Sequence, residues 1–225
     1  MRIVLCGSLG STAAMWDAQA PVLSGSEVVR VDHPGHGGAP LIEIGDIGDL
    51  GHSLLGAVGP GRFSFVGLSL GGAIGMWIAI HAPERLDRLV LCSTSAHFGE
   101  SYRDRARTVR TEGIAPVVDG VLERWFTPAF PDVERYREMI LSTEPEGYAR
   151  CCEAIAAWDV RGRLGGVTAQ TLVIAGADDP ATPPHALAAI AGEIPGARLE
   201  TIPNARHLLN VEFADEFNAL LKEHL

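Results

Sequence analysis

The sequence predicts an α/β fold, a mainly parallel sheet with helices on both faces. Short β-rich runs alternate with longer helical patterns along most of the chain, as crossover connections between parallel strands require. Most of these runs are near-continuously apolar rather than alternating, which fits strands covered on both sides. One run also passes through a glycine-flanked turn directly into a helix. The strands are read at residues 3–6, 28–32, 63–67, 89–93, 172–175 and 198–202. Helices are read at Leu70–His81, which Pro83 stops, and at 211–221, which closes the chain.

The alternation breaks between His97 and about Gly165. This stretch carries four helix patterns and no convincing strand. The clearest pattern sets Ile114, Val117, Val118, Val121, Leu122, Trp125 and Phe126 on one apolar face. Residues 97–165 are therefore read as a helical cap inserted into a core of residues 1–96 and 166–225. The insertion holds 10 of the 18 basic residues and 12 of the 28 acidic ones, so it is much less acidic than the core. A positive partner for an anionic ligand is expected in the cap.

Composition narrows the function classes. Hydrophobic residues make up 47% of the 225-residue chain and charged residues 20%, an ordinary globular balance. A net charge of −10 argues against nucleic-acid or anionic-membrane partners, which would be repelled. No apolar run approaches the roughly 20 residues of a membrane span. The start, Met1 to Gly7, shows no signal-peptide pattern. Cys6, Cys92, Cys151 and Cys152 show neither CxxC nor disulfide-framework spacing, which points to a reducing cytoplasm.

The chemistry-bearing motif is Gly67-Leu68-Ser69-Leu70-Gly71, between the apolar run Phe63-Ser64-Phe65-Val66 and a helix. A nucleophile elbow needs this strand–turn–helix setting, with glycines where strand and helix crowd the turn. The hydroxyl then projects at a helix N-terminus, where developing negative charge is favoured. The competing reading is a small-residue turn that holds phosphate, with an incidental serine. A serine nucleophile also needs a base and an orienting carboxylate, in the order Ser, acid, His. Gly176-Ala177-Asp178-Asp179-Pro180 and Pro203-Asn204-Ala205-Arg206-His207 both follow strands, and Asp179 and His207 are selected from them. For the oxyanion, one backbone N–H is assigned to Leu70 and the other to the loop 7–10, at Leu9.

Other histidines compete for the base role. His33 and His36 lie in Asp32-His33-Pro34-Gly35-His36-Gly37, a turn after a strand; as a metal site they lack a third ligand beyond Asp32. His81 and His185 read as helix termini, and His52 and His224 as solvated. His97 opens the cap, where it could face the pocket.

These residues resemble the α/β-hydrolase superfamily and, more narrowly, its 3-oxoadipate enol-lactonases. The resemblance spans nearly the whole chain. Ser8-Leu9-Gly10-Ser11, Met15-Trp16-Asp17, Asp32-x-x-Gly35-His36-Gly37 and Gly67-Leu68-Ser69-Leu70-Gly71-Gly72 would suit many esterases, as would Ala82-Pro83-Glu84-Arg85-Leu86 and Leu89-Val90-Leu91. More discriminating are Arg124-Trp125-Phe126-Thr127-Pro128, Glu146-Gly147-Tyr148-Ala149, Cys151-Cys152-Glu153-Ala154-Ile155 and Asp179-Pro180-Ala181-Thr182-Pro183-Pro184. The resemblance implies a cytoplasmic serine hydrolase of aromatic catabolism, without metal or organic cofactor, that opens a small anionic lactone. Arg124 is assigned to the substrate carboxylate and Trp125 to the pocket wall; the alternative makes Trp125 cap core and Arg124 solvated. A general carboxylesterase, a perhydrolase-like enzyme and a non-catalytic binding protein remain the alternative functions.

The chain departs from that family at three places. Gly7 and Arg206 stand where a polar and a small residue are usual, and the hairpin that precedes the first strand in relatives is expected to be missing. The fused decarboxylase domain of some relatives is also expected to be absent. Without the hairpin, the strand at 28–32 has an uncovered outer edge, expected to be shielded by residues 39–48 or by a second copy in a homodimer.

Overall fold

Phe63–Leu68 is buried at every position, as its nearly continuous apolar sequence requires of a strand inside a sheet. In the computed structural model, which describes all 225 residues, it is β3 of a six-stranded sheet. The others are β1 (Arg2–Cys6), β2 (Glu27–Val31), β4 (Leu86–Cys92), β5 (Gln170–Gly176) and β6 (Arg198–Ile202), in the order β2-β1-β3-β4-β5-β6. Every neighbouring pair is parallel. All six strands read from the sequence are present, each within three residues of its expected bounds.

The chain steps one way from β1 to β2 and the other way from there on. Right-handed crossovers then place the β1–β2 connection on one face and the later helices on the other. On the later face, α1 (Ile47–Val58) packs against α2 (Leu70–His81), with Gly51 pressed on the Trp77 ring. Four helices, α3 (Ser101–Glu112), α4 (Ala115–Trp125), α5 (Val133–Leu141) and α6 (Pro145–Ala156), lie between β4 and β5. Then α7 (Pro184–Glu193) packs on β5 and β6. The chain ends in α8 (Leu209–Glu212) and α9 (Ala214–His224), which lie with the short turn Ala13–Trp16 on the first face. There the Trp16 and Phe217 rings are 6.3 Å apart, and Gln19 Nε2 donates to Asn210 O and Asn218 Oδ1.

The structure corrects several expectations. The sequence reading missed α1, because Gly48, Gly51 and Gly56 mask its period. Its signature is the reciprocal box of Asp46 and Asp49, with Ile47, Leu50, Leu54 and Val58 on the buried face. The helix expected at 211–221 is two helices, broken where the Phe213 backbone leaves the helical region. His224 is buried rather than solvated, and His97 is exposed beside Asp159 rather than turned toward a pocket. Residues 39–48 make no backbone hydrogen bond to β2, the outermost strand. Instead Ala39, Pro40 and Ile42 lie beside Val31 and the α1 residues Leu50 and Leu54. Charge guards the edge strand: Glu27 pairs with Arg2, and Arg30 with Asp17.

Candidate active site

The strand order reverses between β1 and β3, and in open α/β sheets that switch point opens a crevice at the carboxyl ends of the strands. The loops after β1 and β3 both end there. At the end of β3, Ser69 has φ 59° and ψ −113°, a backbone conformation that side chains rarely adopt. Crowding accounts for the turn. A Cβ on Gly67 would sit 2.3 Å from Gly71 O, one on Gly71 2.1 Å from Cys6 O, and one on Gly72 2.5 Å from Thr94 Cβ. The turn is held on both sides, since Ser69 N donates to Cys92 O and Thr94 Oγ1 donates to Ser69 O at 2.7 Å.

The two adjacent carboxylates after β5 part company. Asp178 is exposed, whereas Asp179 is 2% exposed and meets His207, with Oδ2 2.8 Å from Nδ1. Asp179 Oδ1 accepts from the amides of Ala181 and Thr182, and Oδ2 also accepts from Thr182 Oγ1. Burial alone would raise its pKa. The neighbouring imidazole and these hydrogen bonds outweigh burial and hold the carboxyl below its ordinary value. With Nδ1–H donated to Asp179, His207 Nε2 is the ring nitrogen left to act as acceptor.

The loop that carries His207 is bonded to the helices between β4 and β5. His207 N donates to Arg124 O and Leu208 N to Trp125 O, while Arg206 reaches the carbonyls of Glu123 and Phe126. Arg206, an odd residue by sequence, is a strut. The same helices meet the core at Gly35 and Gly147, where a Cβ on either would lie 2.8 Å from the other's Cα. Glu144 N donates to Gly35 O at 2.8 Å.

Ser69 and His207 line one small cavity of about 20 Å³ together with Leu9, Arg124 and Trp125, and also Tyr102, Arg105 and Tyr148. Thus the structure brings together Ser69, His207, Leu9, Arg124 and Trp125, with Asp179 behind the imidazole. Leu70 opens α2, so its amide has no intrahelical acceptor, and the Leu9 amide donates to no backbone carbonyl. The neighbouring Gly10 amide is already committed, donating to His36 Nε2 at 3.1 Å.

His33 and His36 hold the Leu9 loop from beneath. The His33 Nε2–H donates to Gly7 O at 2.9 Å, and the His36 Nδ1–H donates to Pro34 O at 3.0 Å. Burial keeps both imidazoles neutral, lowering the His33 pKa to about 4 and that of His36 to about 3, the latter helped by His33. Unfolding restores an ordinary histidine pKa near 6.5. The unfolded chain therefore takes up protons first, and stability falls as pH drops below 6.5 toward the folded values. By pH 5 the loss should be about 2 kcal/mol for each imidazole. Urea denaturation at pH 7.5 and 5.0 measures it. His36→Gln should flatten that dependence, and an unchanged slope in the variant would contradict the assignment.

A model of the alpha/beta hydrolase family matches residues 3–220. The chain belongs to that family. The hydrolase is 34% identical to 3-oxoadipate enol-lactonase 2 of Acinetobacter baylyi, over 96% of this chain and 85% of the relative. It superimposes on the crystal structure of the enol-lactonase from Burkholderia xenovorans LB400 with a TM-score of 0.94 and 35% identity, covering 99% of this chain and 90% of that one. A Klebsiella pneumoniae protein named for carbamate hydrolysis, RutD, is 28% identical over 99% of this chain and 90% of its own length.

Sequence reasoning missed three residues of the hydrolase cavity, Tyr102, Arg105 and Tyr148. The charge pattern of α3 hid Arg105: with Arg103, Arg107 and Arg110 beside it, it reads as one more solvated cation. Nothing in Glu146-Gly147-Tyr148-Ala149 marks the Tyr148 hydroxyl as facing a cavity.

Proposed function

We propose that this hydrolase opens a small anionic enol-lactone, 3-oxoadipate enol-lactone, to 3-oxoadipate through an acyl-enzyme on Ser69. The observation that carries the reading is the pairing of a strained Ser69 with a buried Asp179–His207 couple on a cavity lined by two arginines. Ser69 Oγ attacks the lactone carbonyl while His207 Nε2 takes its proton. Asp179 holds the imidazole and stabilises its cation. The amides of Leu9 and Leu70 receive the oxyanion. Collapse breaks the ring C–O bond, and the departing enolate takes the proton from His207 and settles as the ketone. That tautomerisation draws the ring opening forward. Water then attacks the acyl carbon, its proton passes to His207 and on to Ser69, and the acid leaves. Arg124 meets the substrate carboxylate and Trp125 forms a wall. Residues 97–165 act as a cap that shuts the site from water, and the buried, unpaired thiols suit the cytoplasm.

A cavity of about 20 Å³ holds about one water molecule, so the cap shifts when substrate enters. The reading is tested by spectrophotometric turnover of the enol-lactone beside a neutral aryl ester. Specificity for the lactone is expected, with kcat/KM exceeding that for the ester by at least about 10²-fold. Equal turnover of both would make the protein a general esterase. Failure of fluorophosphonate to label Ser69 would leave a binding protein.

A further inference from the structure

The chain has seventeen arginines. Fourteen form ion pairs or hydrogen bonds with other groups of the protein. Of the three that form neither, Arg163 is exposed to water. The other two, Arg105 and Arg124, both line the cavity of Ser69 and His207. Two guanidiniums in one poorly solvated space, with no carboxylate to pair, repel each other and lose hydration. Burial and the proximity of Arg105 both lower the pKa of Arg124. A third polar group points to the same ligand. Tyr148 is fully buried on this cavity, and its hydroxyl, beside the Arg105 guanidinium, forms no well-aligned hydrogen bond. The Arg105 guanidinium lies over the Tyr102 ring, 4.7 Å from its centroid, which fixes the plane of the fork.

We propose that Arg105, from α3, and the Tyr148 hydroxyl, from α6, complete with Arg124 of α4 a carboxylate subsite, so that the hydrolase selects esters and lactones whose acyl part carries a carboxylate. The inference rests on the serine-hydrolase reading only for its catalytic readout. One anionic group would satisfy a guanidinium fork, a phenol and a second guanidinium together. Arg105 and Tyr148 are specificity residues, since the bond that breaks lies at Ser69. Three helices converge on the anion, which links ligand charge to closure of the cavity.

The test compares p-nitrophenyl hemiglutarate, an anionic ester, with p-nitrophenyl butyrate, a neutral ester of similar length. Wild type should prefer the anionic ester through KM. Arg105→Met should cut the anionic-to-neutral ratio of kcat/KM by about 10-fold or more, and Tyr148→Phe by a smaller factor. Arg105→Lys should recover part of the loss, as charge without the fork would. Direct calorimetry of glutarate binding to Ser69→Ala, with and without Arg105→Met, reads the subsite without turnover. Weakening of glutarate by about 10-fold or more supports the subsite even if no ester is hydrolysed, in which case only the hydrolase reading fails. An absent preference in wild type, a ratio unmoved by Arg105→Met, or glutarate binding indifferent to Arg105 would each overturn the proposal.

Discussion

Ser69→Ala is expected to reduce lactone and ester hydrolysis by about 10³-fold or more while the protein stays folded. The loss follows because no other serine stands on a turn of this kind facing the imidazole cavity. Folding survives because alanine keeps the Cβ that the elbow already tolerates and removes only an oxygen with no hydrogen bond to the protein. A second variant sharpens the test. Ser69→Gly relieves the φ of 59° and should be inactive yet more stable than Ser69→Ala by about 1 kcal/mol. Steady-state kinetics with thermal denaturation reads both effects. Near-wild-type turnover by folded Ser69→Ala would remove serine from the mechanism.

Asp179→Asn should cost on the order of 10³–10⁴-fold in kcat, and Asp178→Asn should be mild. The asparagine would keep the shape of Asp179, but its amide could present N–H to His207 Nδ1. That favours the tautomer with Nε2 protonated, which cannot accept the serine proton. Asp178 is exposed and has no imidazole partner. The depressed pKa of Asp179 adds a pH signature. A carboxyl held below 3.8 stabilises the fold above that pH and loses its contribution as pH falls through the native pKa. The acid limb of unfolding should therefore soften in Asp179→Asn. Reversed kinetic ranking of the two asparagine variants would transfer the role to Asp178.

The parts of this protein legible in its sequence are those fixed by local chemistry. Strands such as Phe63–Leu68 are almost wholly apolar because both faces are buried, and Gly67 and Gly71 announce a turn on which backbone presses from both sides. Asp178 and Asp179 are adjacent in the loop after β5, and burial separates them in the structure. What stayed hidden depends on three-dimensional neighbours. Arg105 differs from Arg107 only in the direction it faces, and no single sequence records that. His33 and His36 looked like metal or base candidates; their partners are the Gly7 carbonyl and the Gly10 amide of a distant loop. Glycines obscured α1 because Gly51 was chosen for contact with Trp77 rather than for helix propensity.

The bonds from His207 N and Leu208 N to the last carbonyls of α4 have a consequence for anyone who would re-engineer the molecule. Exchange of the four helices for those of a relative is the natural route to a new ligand preference, since they supply most of the cavity wall. Here the exchanged segment also carries acceptors that seat the loop of the imidazole, and Arg206 is anchored to the same helix end. A chimera that replaced 97–165 wholesale would alter ligand choice and the aim of the base in one stroke. Libraries confined to Val121, Tyr102 and Arg105, with the 123–126 main chain left native, would separate the two traits.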